Sequence, residues 1–433
     1  MAGPPTGASV EATLDAVWRM EASRLIARLA RMLDDVGRAE ELAQDAMVSA
    51  LEHWRRDGVP DNPAAWLMTA ARNRGIDALR QRRLRWEQQP MLQDHLEPQP
   101  MTAPDDDDAV QDRFGDDMLR LLFVACHPAL PRDAQVALTL RLLGGLDTAW
   151  IARAFLVPEA TVAQRIVRAK RTLAERGIGF AVPPPAEWPT RLDAVLEVIY
   201  LIFNEGYAAS AGDGWTRPAL CEEALRLARV LARLQPLDAR VAGLLALMEL
   251  QASRLPARTD EEGRPVLLEA QDRARWDRLQ ISRGLAALQV ALQAGGGAEP
   301  YVLQAAIAAC HARARRAADT DWPRIAALYT ALLEVQPSPV VALNRVVAVW
   351  RASGVEAAWA LLEPLLDEPR LRGHAPLAVV HGELLEQSRQ PVAARDAFVR
   401  ALALTANAGQ RAVLQARIDQ LNRSLGTVLS TAP

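Results

Sequence analysis

The sequence has few cysteines, few aromatic residues and no long apolar run. Only 3 of its 433 residues are cysteine, and Cys126, Cys221 and Cys310 lack the paired spacing typical of zinc sites. We therefore expect buried free thiols, with no disulfide framework, no bound metal and no cofactor. No apolar run approaches the roughly 18 residues of a membrane span, and the N-terminus lacks the apolar stretch of a signal peptide. A soluble, cytoplasmic protein that does not contact the membrane is expected.

Strand patterns are also missing, because alternating β-branched or aromatic runs bounded by turns do not occur. Ala, Leu and Arg instead fill long segments with helical periodicity, which predicts an all-α protein. A first helical unit is predicted at residues 11–86, and an acidic flexible linker at 87–115. A second helical unit follows at 116–178. After the stiff PPP run at 183–185, a further helical domain occupies residues 190–425.

The net charge of −3 hides an uneven distribution along the chain. Residues 72–85 contain six arginines and one acidic residue, whereas residues 87–117 contain ten acidic residues and one arginine. Residues 118–176 again have an excess of basic residues, with nine against four acidic ones. Two cationic segments separated by an acidic one are suited to binding a polyanion at two places.

The segment LGGLDTAWIARAFLVPEATVAQRIVRAKR, residues 143–171, predicts two short helices joined by a tight turn. Pro158 is suited to the start of the second helix, where its missing N–H is not needed. The second helix carries basic residues on one side, which can neutralise backbone phosphates: Arg165, Arg168, Lys170 and Arg171. This is the layout of a helix-turn-helix, in which the second helix enters the DNA major groove. Basic helices are often only solvated surfaces, so the motif alone does not fix a function.

Two further helices are predicted in the first unit. Residues 34–54 form a helix with an apolar face at Leu42, Ala46, Ala50 and Trp54, and with a polar face at Glu40, Glu41, Gln44 and Asp45. Taken alone, that polar face is explained by solvation. In residues 62–86, Asn62 can cap a helix that Pro63 opens. This helix carries a polar, cationic strip of residue types that read base edges and phosphates: Arg72, Asn73, Arg74, Asp77 and Arg80.

Three ordered motifs, AEELAQDA (39–46), AWLMTAARNRGIDALRQRR (65–83) and the helix-turn-helix at 146–171, resemble those of bacterial extracytoplasmic-function sigma factors. These are compact members of the sigma-70 family that contain only region 2 and region 4. The resemblance covers residues 11–178. The remainder resembles the subgroup with a long C-terminal helical extension, for example in VIYLIFNEGYAAS (198–210) and PYVLQAAIAACHA (300–312).

The resemblance implies a sigma factor, not an enzyme, that binds core RNA polymerase through its β′ and β subunits and recognises promoter −35 and −10 elements. It assigns Glu40, Glu41, Gln44 and Asp45 to the core polymerase. It assigns Asn73 to a pocket for a flipped −10 base, with Arg72, Arg74, Arg80 and Arg83 on the strand backbone. It places Thr161, Ala163, Gln164, Val167 and Arg168 at the −35 element, and we expect Arg171 to bind phosphates there.

The C-terminal part carries a weak internal repeat. EEALRLARVLARLQP (222–236) resembles PRIAALYTALLEVQP (323–337), and residues 378–406 have the spacing of a tetratricopeptide repeat. Stacked helix pairs of this kind form a solenoid with a concave surface for a ligand or protein. An irregular helical bundle is the alternative. We expect this extension to regulate the sigma regions in cis, with activation and inhibition both open.

Two other functions are compatible with parts of the chain. A helix-turn-helix transcriptional regulator with a tetratricopeptide-like sensory domain would account for residues 146–425. It would leave the 39–46 helix and Asn73 unexplained. An enzymatic extension using Glu205, His311 or His381 lacks any paired-carboxylate, nucleophile–base or metal-ligand spacing.

Overall fold

The computed structural model describes residues 7–87, 117–155, 157–208 and 215–430, so nearly all of the predicted acidic linker lies outside the described residues. The chain divides into two compact units, with the boundary between Ile199 and Tyr200. Helices dominate both units, and an isolated bridge between Thr259 and Pro265 is the β-type pairing found within those ranges. The predicted all-α class is confirmed.

Within the described residues, the first unit contains eight α-helices. They are α1 (Gly7–Leu33), α2 (Val36–Asp57), α3 (Pro63–Glu87), α4 (117–125), α5 (Arg132–Leu142), α6 (Thr148–Phe155), α7 (Glu159–Glu175) and the first part of α8 (Trp188–Tyr207). Side-chain caps fix where two of these helices begin. Asp35 accepts a hydrogen bond from the Arg38 N–H at 3.0 Å, and Asn62 accepts one from the Ala65 N–H at 3.1 Å. The predicted Asn62 cap is thereby confirmed.

Helices α1, α2 and α3 enclose one apolar core. The predicted inner face of α2 is buried along its length, from Leu42 to Trp54. On α3, Leu67 and Ala71 are buried against the other two helices. Gly75 allows the close approach of α3 to α1, because a Cβ there would lie only 3.0 Å from a methyl carbon of Leu29. This packing leaves the opposite side of α3 to solvent.

Helices α5, α6 and α7 form the predicted helix-turn-helix and the helix that supports it. Ile151 and Ala152 of α6 are buried, as are Val162 and Ile166 of α7. The start of α8 packs against α4, the helix that precedes this group. The Trp188 ring meets Phe123 edge-on at 4.8 Å, and the buried Arg191 donates to the Phe123 carbonyl at 2.7 Å. The first turns of α8 therefore belong to the first unit.

After α8, the part of the second unit that the structure describes contains ten α-helices. They are α9 (Pro218–Leu234), α10 (Ala239–Ala252), α11 (Arg278–Gln293), α12 (Pro300–Arg313), α13 (Trp322–Val335), α14 (Pro339–Ser353), α15 (Val355–Leu366), α16 (Ala375–Gln387), α17 (Pro391–Leu404) and α18 (Ala408–Ser430). Each apolar cluster is shared by helices that follow one another in the chain. A stack in which each helix packs on its neighbours is the architecture of a helical repeat.

The repeat predicted from the sequence matches these helices. Helices α9 and α13 both end two residues before the proline that closes each motif. In the third unit, α16 packs on α17 so closely that a Cβ at Gly382 would lie 2.9 Å from the Phe398 ring. Between α10 and α11, residues 253–277 form a long insertion with only two short 3₁₀ turns. The helical periodicity gave no indication of how this insertion folds.

All three cysteine thiols are free and buried, as expected. Among the described residues, His, Cys, Asp and Glu side chains form no group of three that could hold a metal ion. The helices in the described ranges include none with the length and apolar character to cross a membrane.

Candidate functional site

The outward face of α3 carries the residues predicted to bind the −10 element. Arg72, Asn73, Arg80 and Arg83 are exposed. Arg74 is half-buried and donates a hydrogen bond to the Ser49 hydroxyl of α2. Burial and then repulsion from Arg72 lower the pKa of the neighbouring Arg28 guanidinium. Asn73 thus stands in a positive field suited to a nucleic-acid strand.

Helix α7 separates a buried face from an exposed one. Val162, Ile166, Ala169 and Leu173 hold the helix against the rest of the unit. Gln164, Val167, Arg168 and Arg171 are exposed, and Thr161 and Ala163 are half-buried on the outer side. Val167 is 64% exposed, so its methyl groups lie at the surface of the helix. The helix presents its predicted reading surface to solvent.

The polar face of α2 is only partly exposed. Glu41 and Asp45 are exposed and Gln44 is half-buried, but Glu40 is only 2% exposed. The Arg141 Nε donates to Glu40 Oε1 at 2.6 Å, and the Lys170 ammonium pairs with Oε2. Both cations come from the helix-turn-helix part of the chain. Of the four residues predicted to bind polymerase, Glu40 is thus covered.

Other contacts join the same two parts of the first unit. The Trp18 indole N–H donates to the Gly145 carbonyl at 3.1 Å, and the Asp34 carboxylate accepts the Phe180 N–H at 2.7 Å. Asp117 lies 3.5 Å from a guanidinium nitrogen of Arg31. The sequence predicted two helical units joined by a linker and gave no prediction of these contacts. One signal was present in the sequence, because the apolar residues Val36 and Ala43 lie four residues before and three after Glu40, on the same side of α2.

Three separate segments of the chain match known protein families. Residues 17–85 match sigma-70 region 2, residues 120–173 match sigma-70 region 4, and residues 191–292 match a family of unknown function, DUF6596. An uncharacterized protein of Rhizobium meliloti (strain 1021) is 45% identical over 407 residues, which is 92% of this chain and 94% of that protein.

Among solved structures, the crystal structure of the yeast Tom70 aligns with 97% of this chain and 85% of its own, at 12% identity and a TM-score of 0.31. The two sigma-70 regions indicate a non-enzymatic transcription factor whose partners are core RNA polymerase and promoter DNA. The chain belongs to the sigma-70 family, as an extracytoplasmic-function-like sigma factor with a C-terminal helical extension.

Proposed function

We propose that this sigma factor recruits core polymerase in the cytoplasm, recognises −35 and −10 elements and helps to melt the duplex. The observation that carries the proposal is the joint exposure of Asn73 on a cationic helix and of Gln164 and Arg168 on a recognition helix. Run-off transcription with purified core polymerase tests it. Promoter-dependent transcripts should form without another sigma factor. A requirement for a second sigma factor would instead identify a helix-turn-helix regulator, a reading that leaves the region 2 match unexplained.

For the −10 element, we propose that Asn73 holds an unstacked base while Arg72, Arg74, Arg80 and Arg83 hold the strand backbone. Base capture offsets a few kcal/mol of unstacking and unpairing. The Ser49 hydroxyl already orients the Arg74 guanidinium, which supports this role. The Arg74 side chain therefore loses less conformational entropy when it binds the strand backbone.

For the −35 element, we propose that the outer side of α7 enters the major groove. Gln164 and Arg168 are suited to base edges, while Thr161, Ala163 and Val167 supply apolar contacts. Arg171 forms an ion pair with Glu175 at 3.0 Å and lies one helical turn further along, where a phosphate contact is expected.

For the core polymerase, we propose the polar face of α2, with Glu40, Glu41, Gln44 and Asp45 facing the β′ subunit. Because Glu40 is covered by Arg141 and Lys170, we infer that the described arrangement is a closed form. Region 4 must leave this face before α2 can bind polymerase. Arg141 and Lys170 stabilise this closed form, because each donates to a charged group, an interaction worth about 1.5–3 kcal/mol.

We further propose that the extension regulates the sigma regions in cis and is required for activity. The packing of Trp188 and Arg191 on Phe123 supports this, because α8 leads directly from region 4 into the extension. A chain ending after Tyr207 retains α8 and both sigma regions. It should lose most promoter-dependent transcription while circular dichroism reports folded helices. Transcription equal to that of the full chain would contradict a role in cis.

A further inference from the structure

The 253–277 insertion gathers arginines against aromatic rings. The Arg258 guanidinium lies 3.9 Å from the centre of the Tyr207 ring, and Arg273 lies 4.9 Å from that of Trp276. Arg254 contacts both rings, at 5.5 and 5.9 Å. None of these three arginines forms an ion pair with a carboxylate in the described part of the chain. This leaves an excess of positive charge inside the second unit, which is costly without an anion.

Arg273 is the most deeply buried of the three, at 6% exposure. Its Nη1 donates to the carbonyls of His311 and Ala314, both at 2.8 Å, and its Nη2 donates to the Thr320 hydroxyl at 3.1 Å. A guanidinium has five N–H donors, so these three bonds fix its position and leave two donors unused, including Nε. The nearby Asp319 does not neutralise it directly, because that carboxylate is paired with Arg316 at 2.7 Å.

A cavity of about 390 Å³ opens beside this guanidinium. It is lined by Glu269, Arg273, His311, Thr320, Trp322 and Arg351, among others. The Arg351 guanidinium lies 5.7 Å from the Trp322 ring centre and also pairs with Glu269. His311 meets the same ring edge-on at 5.3 Å, and its Nδ1 is buried without a hydrogen-bond partner. The cavity therefore combines an aromatic wall, two cations against one carboxylate, and unused polar atoms.

We infer that this cavity binds a small organic anion, whose carboxylate or phosphate group pairs with Arg273 and Arg351 while its planar or apolar part packs on Trp322. The volume falls within the range of small-molecule sites, and an apolar wall with a few convergent polar groups is their usual composition. A guanidinium already held by three hydrogen bonds loses little freedom when it binds an anion. The inference does not depend on whether the chain initiates transcription.

Isothermal titration of the full chain tests the inference with four probes: benzoate, phenyl phosphate, inorganic phosphate and benzyl alcohol. Saturable binding of benzoate or phenyl phosphate is expected, and the stronger of the two identifies the anionic group preferred. Benzyl alcohol has the ring without the charge and should bind at least about tenfold more weakly. Inorganic phosphate alone should also bind more weakly, because it cannot use Trp322. Equal binding of the alcohol, or no saturation by either aryl anion, would overturn the inference.

Substitutions of the lining residues test whether the anion binds in this cavity. Arg273→Gln should weaken binding of the preferred aryl anion by about tenfold to a hundredfold, the effect of losing one hydrogen bond to a charged group. Arg273 also supports the fold, so Arg351→Gln and Trp322→Leu test the cavity independently. Each should weaken binding of the same anion. Arg370→Gln is the matched control, because Arg370 is exposed, pairs with Glu368 and does not line the cavity. Unchanged affinity in folded Arg351→Gln and Trp322→Leu proteins would place the anion elsewhere and refute the assignment.

Discussion

A disulfide between α2 and α7 should hold the first unit in its closed form. A Cβ built at Gly37 lies 3.7 Å from the Lys170 Cβ, close to the mean separation of about 3.8 Å in disulfides. The double variant Gly37→Cys/Lys170→Cys should therefore oxidise readily. Because the bond fixes α7 over Glu40, the oxidised protein should not bind core polymerase.

Reduction of the same variant should have the opposite effect. Lys170→Cys removes one of the two cations on Glu40, and the loss of a hydrogen bond to a buried charge weakens the closed form by about 1.5–3 kcal/mol. If the closed form predominates, apparent affinity rises in proportion to the open fraction. The reduced variant should then bind core polymerase at least about tenfold more tightly than the unmodified chain.

Binding to immobilised core polymerase, with and without dithiothreitol, measures both effects. Each single-cysteine variant is a control that should not respond to oxidant, because the native thiols are buried. Equal binding of the reduced protein and the crosslinked protein, with the crosslink verified on a non-reducing gel, would refute the closed-form reasoning. Failure of every reduced protein to bind would instead contradict the proposal that this chain recruits core polymerase.

Three other results are expected. Asn73→Ala should reduce permanganate reactivity of −10 thymines while core binding is retained, and unchanged reactivity would exclude base capture by Asn73. Across a promoter library, Gln164→Ala should reduce the preference for one base at one −35 position by about 1–3 kcal/mol. Arg171→Ala should instead weaken binding to all sequences by a similar factor. Burial and nearby arginines lower the pKa of His311 to about 3, so the unfolded chain binds a proton below about pH 6.5 and the folded chain does not. The free energy of unfolding therefore decreases as the pH falls. Between pH 7 and pH 5, urea unfolding should show a decrease that is about 2 kcal/mol smaller for His311→Asn than for the native chain. Equal decreases in the two proteins would contradict the burial of His311 in its neutral form.

The sequence by itself determined the all-α class, the helix-turn-helix and the sigma-70 motifs. These features are local: the buried side of α2 follows from a four-residue spacing, and the Asn62 cap follows from its position before Pro63. Exposure of Asn73 and Gln164 follows in the same way, since each lies on a helix whose opposite side is apolar.

Only the tertiary structure decided which charges are covered. Glu40 meets Arg141 and Lys170, both more than a hundred residues away in sequence, and Arg273 meets the carbonyl of His311 across a helical hairpin. Helical periodicity specifies which side of one helix is buried, but not which distant helix covers it. That choice depends on shape and charge complementarity between surfaces that form only after the helices exist. The burial of Glu40 and the cavity beside Arg273 therefore could not be predicted from the sequence.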